Sequence, residues 1–207
     1  MRSSRIRALV GALASLALAA CEGTGAPSVP PAQIGLQQGD LPAALLRCHA
    51  SGDIGVYLRS PKPNHEPAHD ELLAAWQDLQ RHGAAQAALT VYATQPPACD
   101  ARLGTGAGAN VTSLVVEFHD DAAAAGAYRR GVLGFTTPNE DAEVSGMDRG
   151  AATGMGRNAW VLQRSVEGRA LIVGLWERNA VLVLFVAVDA DPLNAKRALS
   201  AVDGRIP

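Results

Sequence analysis

The chain reads as an α+β domain, a mainly antiparallel sheet with helices packed on one face. Three observations predict it. Three apolar runs, Trp160–Val166, Ala170–Trp176 and Ala180–Val188, are joined only by Glu167-Gly168 and Arg178-Asn179. Links this short make antiparallel neighbours, because a parallel crossover needs a dozen residues or more. The last run, Val-Leu-Val-Leu-Phe-Val-Ala-Val over 181–188, is apolar at every position and so predicts a central strand. Finally, a strand–aspartate–helix spelling occurs over 110–134 and again over 179–204, with Asp120 falling on Asp189 when the two asparagines are aligned. The two units are candidate halves of a duplicated domain.

The elements before the sheet's clearest part are read from period and punctuation. Asp40–Cys48, with Pro42 near its start and Leu45 and Leu46 after, predicts a short helix. Ile54–Leu58 predicts a short strand ahead of Pro61 and Pro63. Leu72, Leu73, Trp76 and Leu79 form one apolar stripe at helical period, with Pro67 fitting the first turn and His82-Gly83 the end. Ala87–Ala93 is a strand candidate closed by Pro96-Pro97. Val111–Phe118 alternates, with Leu114, Val116 and Phe118 on one face and Ser113 and Glu117 on the other. Asp120 or Asp121 caps a helix running to about Leu133. Thr136–Asn158, rich in Gly, Pro, Asn and Asp, is a long surface loop and marks the place to look for a cleft. Asp191-Pro192 is a cap followed by proline at the first helical position, which opens a terminal helix from Leu193 to about Val202.

The N-terminus is an address. Arg2, Arg5 and Arg7 precede an apolar run over 8–20 that is too short to span a membrane and fits a signal-peptide core. The run ends Leu18-Ala19-Ala20-Cys21, which resembles the lipobox of bacterial lipoproteins at all four positions. That resemblance implies diacylglycerylation of the Cys21 thiol, cleavage before it, and acylation of the new amino terminus by a fatty acid such as palmitate. Two or three chains hold a protein stably to a membrane where one does not. Residue 22 is Glu and not the Asp that retains many members of the family at the inner membrane. The resemblance therefore implies a cell-envelope location: the outer membrane facing the periplasm in a two-membrane bacterium, or else the outer face of the plasma membrane. Residues 22–38, with Gly23, Gly25, Pro27, Ser28, Pro30 and Pro31, read as a tether, and residues 39–207 as one domain.

Two cysteines remain, Cys48 and Cys99, and in an oxidising compartment they predict a disulfide closing a loop of about 50 residues. No Cys-x-x-Cys pair supports a redox role instead. Composition narrows the function further. The 207 residues carry 18 basic and 20 acidic side chains, and three of the basic ones are the arginines of the first 20 residues. The mature chain is thus more acidic than the whole and lacks the basic stripe of a nucleic-acid binder. The expected partners are the membrane, through Cys21, and an envelope protein or small ligand; no nucleic acid and no cofactor is expected.

His65-Glu66-Pro67-Ala68-His69 matches His-Glu-x-x-His, the zinc-peptidase motif in which two histidines one helical turn apart hold the metal and the Glu activates its water. Pro67 between the ligands opposes that helical geometry, because inside a helix it removes a donor and clashes with the preceding turn. The expectation is therefore a loop leading into a helix, with His65, Glu66 and His69 as weak metal ligands and no catalytic set. Gly104–Gly108 lacks the helix and the Lys-Ser/Thr that a phosphate loop needs, so it reads as a connection, as does Gly154-Met155-Gly156. Glu117 and His119 share a strand face and read as its wet end. Trp76, Trp160 and Trp176 suit a core better than a ligand pocket. The function expected is a membrane-anchored, extracytoplasmic, non-catalytic ligand- or partner-binding domain; the alternative is a zinc hydrolase using His65, Glu66 and His69.

Overall fold

In the computed structural model, residues 29–49, 51–59, 66–95, 99, 108–139 and 141–207 are described. The signal peptide, Cys21, His65 and most of the 97–107 connection lie outside them. Eight strands form one antiparallel sheet: β1 (Leu46–Arg47), β2 (Gly52–Asp53), β3 (Ala84–Ala93), β4 (Asn110–Phe118), β5 (Met147–Arg149), β6 (Ala159–Val166), β7 (Arg169–Arg178) and β8 (Val181–Val188). Their order across the sheet is β1-β3-β4-β8-β7-β6-β5, with β2 also pairing with β3. The helices are α1 (Pro31–Ile34), α2 (Ile54–Arg59), α3 (Glu66–Arg81), α4 (Asp121–Arg130) and α5 (Pro192–Asp203). The α+β class and the antiparallel pairing are as the short links required, and β8 lies between β4 and β7 in the middle of the sheet.

The helices cover both faces, which corrects the one-face expectation. On one face Leu72 and Leu79 of α3 and Ala124, Ala127 and Tyr128 of α4 pack on Leu114, Val116, Leu182, Leu184 and Val186. On the other, Ile34 and Leu36 join Ala195, Ala198, Leu199 and Val202 of α5 against Val115, Val183, Phe185 and Trp176. The reason was present in β8 itself. A strand apolar on both faces has to be covered twice, since successive side chains point to opposite sides.

The second face also shortens the tether. Ile34 and Leu36 are 0 % and 1 % exposed, and the amide of Leu36 donates to the Ser113 hydroxyl at 3.0 Å. Residues 29–38 therefore belong to the domain and do not extend as a linker. Three other expectations fail locally. Over 40–48 there is no helix beyond a 3₁₀ turn at Gln38–Asp40; Asp40 is engaged by Arg205, and Leu46-Arg47 pair with Ala93 and Tyr92. Residues 54–58 form a helix and not a strand, because the edge of β3 is already taken by Gly52-Asp53 and the Asp53 carboxylate accepts from the Val56 amide at 3.1 Å. The 136–158 loop contains β5, whose three residues pair with Leu162, Val161 and Trp160.

The two strand–helix units are both present, but they are not equivalent in space. α4 packs on the first face and α5 on the second. Asp120 caps α4, accepting from the Ala123 amide, whereas α5 is capped by Asp191; Asp189 instead accepts from Arg169 and the Ala170 amide. The shared spelling is thus matched by neither a shared cap position nor a shared packing face.

Candidate functional site

A cleft of about 360 Å³ opens on the second face, between α5 and the outer strands β5 and β6. It is lined by Gly146, Met147, Asp148, Val161, Gln163 and Lys196. Its origin lies in how closely α5 sits on β7. Ala195 and Ala198 are fully buried, and a Cβ on Gly174 would meet the Leu199 Cδ1 at 2.8 Å, so glycine lets the helix settle there. Gly174 pairs with Val161 and Val161 with Asp148, so the row continues outward past the edge of the helix. Beyond Gly174, Val161 is still buried at the rim of the second core and forms the floor of the cleft.

The far wall is set by Gly146. Its φ is +77°, and its carbonyl accepts from the Gln163 amide at 2.8 Å. A Cβ there would lie 2.2 Å from the Gln163 carbonyl oxygen, so only glycine lets the loop approach β6 this closely. Asp148 and Gln163 are exposed on this side, and Lys196 projects from the opposite wall on α5. Among the described residues these three side chains make no ion pair, leaving a carboxylate, an amide and an ammonium around one concavity. Such a set can hold a small ligand that carries both signs of charge; it contains no nucleophile–base pair.

Two partly exposed arginines clamp the helices that frame this face. Arg205 donates to the carbonyls of Ile34 and Gly35 and to both oxygens of Asp40, at 2.7 to 3.0 Å. This fastens the α1 segment to the chain just after α5. Arg178 reaches Asp203 at 3.1 Å and the Ile206 carbonyl at 3.1 Å, and also bonds the Asp203 carbonyl. Burial pushes the Asp203 carboxyl above its ordinary value, and the Arg178 charge only partly offsets this.

The residues singled out in the sequence are distributed as follows. Cys48 and Cys99 are joined by a disulfide with Cα atoms 5.6 Å apart, beside the first core. Cys21 and His65 lie outside the described residues. α3 begins at Glu66, so Pro67 stands in its first turn as predicted. His69 is 6 % exposed; its Nε2 is 3.0 Å from the Leu58 carbonyl and its Nδ1 3.3 Å from the Asp70 carboxylate. The Nε2 contact requires a donated proton, so that nitrogen joins α2 to α3 and offers no lone pair to a metal. Among the described residues no three His, Cys, Asp or Glu side chains are placed to hold a metal ion. Glu117 is half-buried on the second face and His119 exposed at the strand end. Met155 of the Gly154–Gly156 turn is buried in the second core, and of Gly104–Gly108 only Gly108 is described.

Trp160 and Trp176 are core residues, but in separate cores. They occupy adjacent rows of the β6–β7 pair and so point to opposite faces, with Trp76 partly buried against the first core. The cleft residues Lys196, Asp148 and Gln163 were not singled out in the sequence. Their only signal was a lone lysine in the last helix and the length of the 136–158 loop.

Among the described residues no helix is long and apolar enough to cross a membrane. No protein-family model matches the chain and no curated protein matches it. One solved structure with similarity is the extracellular domain of PknH from Mycobacterium tuberculosis, at 11 % identity and a TM-score of 0.44, covering 88 % of this chain and 98 % of that one.

Proposed function

We propose that this chain is a lipid-anchored, extracytoplasmic binding domain of the bacterial cell envelope, held through Cys21, whose cleft beside α5 takes a small charged ligand or a charged segment of a partner. The observation that carries the binding reading is the cleft itself: Lys196 and Asp148 face one concavity without ion-pair partners among the described residues. The envelope location is supported by the Leu18-Ala19-Ala20-Cys21 spelling and by the Cys48–Cys99 disulfide, which persists in oxidising compartments and not in a reducing cytosol. Against the zinc-hydrolase alternative stands the engaged Nε2 of His69.

The anchor and the binding site are tested separately. Cys21→Ala releases the protein from membranes; unchanged membrane retention overturns the anchor. For the cleft, the full chain is titrated with free amino acids and dipeptides, which carry both charges, while amide resonances are followed by NMR. The amides of Val161 and Gln163 shift, and Lys196→Met abolishes the response. No shift at those positions overturns a charged-ligand site. Metal analysis of the purified chain closes the alternative: stoichiometric zinc that disappears in His65→Ala overturns the non-catalytic reading.

A further inference from the structure

We infer that the ligand of the cleft is the headgroup of a membrane phospholipid that carries both a phosphate and a primary ammonium, a phosphoethanolamine-type headgroup. The inference rests on the anchored binding domain proposed above and names what that domain binds.

The first argument is reach. Residues expected to be tether are folded: Val29 packs against the second core, and α1 begins at Pro31. Only eight residue steps separate Cys21 from Val29. Fully extended, they span at most about 28 Å. A domain of this length is about 40 Å across. A lipidated Cys21 thus cannot reach around the domain, and the point where the chain enters stays within about 28 Å of the bilayer. That point lies on the second face, since α1 and α5 pack on it next to each other and are joined by Arg205. The cleft opens on the same face.

The second argument is the chemistry of that surface. The cleft offers an ammonium at Lys196 and a carboxylate at Asp148, the inverse of a phosphate and an ammonium on one headgroup, with the Gln163 amide between strands as a neutral donor and acceptor. The outer side of α5 adds Leu193, 59 % exposed, and Arg197, also exposed. From Pro192 to Val202 the helix has no acidic residue. An exposed leucine beside two basic side chains is what a helix resting in the interfacial layer presents: the apolar group enters the acyl boundary and the cations meet phosphates.

The lysines supply the readout. Lys196 and Lys62 are the only two in the chain, so acylation of lysine amines followed by mass spectrometry reports the cleft against an internal reference. The native lipidated protein is labelled in non-ionic detergent and in vesicles of phosphatidylethanolamine, phosphatidylcholine or phosphatidylglycerol. With headgroups at an effective concentration about twice the dissociation constant, labelling of Lys196 slows about threefold in the phosphatidylethanolamine vesicles, relative to Lys62. Asp148→Asn, a change at an exposed side chain, restores the detergent rate while the protein stays on the vesicles. The inference is overturned if Lys196 labels equally fast in vesicles and detergent. It is also overturned if phosphatidylglycerol protects as well as phosphatidylethanolamine, or if Asp148→Asn changes nothing, since either result means charge attraction alone. Protection by soluble phosphoethanolamine without protection on vesicles keeps the binding site and overturns its membrane ligand. The same spectra weigh Cys21: an unmodified cysteine overturns the anchor reading, and the short reach falls with it.

Discussion

The two faces of the sheet bury alternate residues of the same strands, yet they are held by different means. On β8, Leu182, Leu184 and Val186 point into one core and Val181, Val183 and Phe185 into the other, all within 5 % exposure. The first face is closed by α2, α3 and α4, an apolar core and a covalent bond at Cys48–Cys99. The second gathers both ends of the domain, and its helices are pinned by arginines to carbonyls and carboxylates. Apolar burial is non-directional, whereas a forked guanidinium fixes geometry. The first face therefore adds a covalent constraint to its apolar burial. The second fixes where α1 and α5 sit and leaves a cleft between α5 and β5.

That contrast is broken most sharply by removing the covalent bond. Replacing Cys48 and Cys99 together by alanine frees a loop with a sequence separation of 51. It should cost about 4 kcal/mol in denaturant unfolding. A cost near zero would show that the first face does not depend on its disulfide. Next come two neighbours on β8. Phe185→Ala should cost about 4 kcal/mol and Leu184→Ala about 3. Hydrogen exchange separates them: the first speeds exchange in α5, the second in α3 and α4. Faster exchange on both faces in either variant would mean that the cores are one cooperative unit.

Arg205→Leu tests the clamp. It leaves Asp40, only 9 % exposed, with the Gln37 amide but no cation, and should cost on the order of 2 kcal/mol, reduced from a fully buried pair because Arg205 is partly exposed. Limited proteolysis should cut first near residues 35–41. Arg205→Lys should rescue little, because an ammonium cannot reproduce the fork that spans Asp40 and two carbonyls. Full rescue by lysine would reduce the clamp to simple charge pairing.

The smallest expected effect is a pH dependence. A carboxyl whose value is raised in the folded state binds its proton more readily there than in the unfolded chain. Between the ordinary value of 3.8 and the raised one, Asp203 thus adds stability as pH falls, and this contribution is lost as pH rises through the folded value. Asp203→Asn removes it. The Tm of the native protein relative to the variant should rise as the pH falls toward 3.8. A constant difference would mean that Asp203 titrates as if exposed.

Much of this fold was legible because the signals were local. The stripe Leu72, Trp76, Leu79 with Pro67 at its start gave α3, and Asp191-Pro192 gave the cap of α5. The Glu167-Gly168 link gave the β6–β7 hairpin and its register. Ile54–Leu58 misled because its strand-like residues are outvoted by the Asp53 cap and by an edge already occupied. Ile34-Gly35-Leu36 was hidden among prolines and glycines, and the polar Ser113 that receives it looked like a solvent-facing position.

Local signals in the chain account for the antiparallel sheet, the central place of β8, the helices at 66–81 and 192–203, and the cysteine pair that the structure joins. These follow from period, caps and short links, which act over a few residues. Long-range packing sets which face each helix covers, that residues 29–38 are docked, and that Lys196, Asp148 and Gln163 share one cleft. Those outcomes depend on pairs such as Arg205 and Asp40, 165 residues apart, and on the distance at which Leu199 can rest over Gly174. Packing of that kind is set by the whole sheet at once, and no window of sequence contains it.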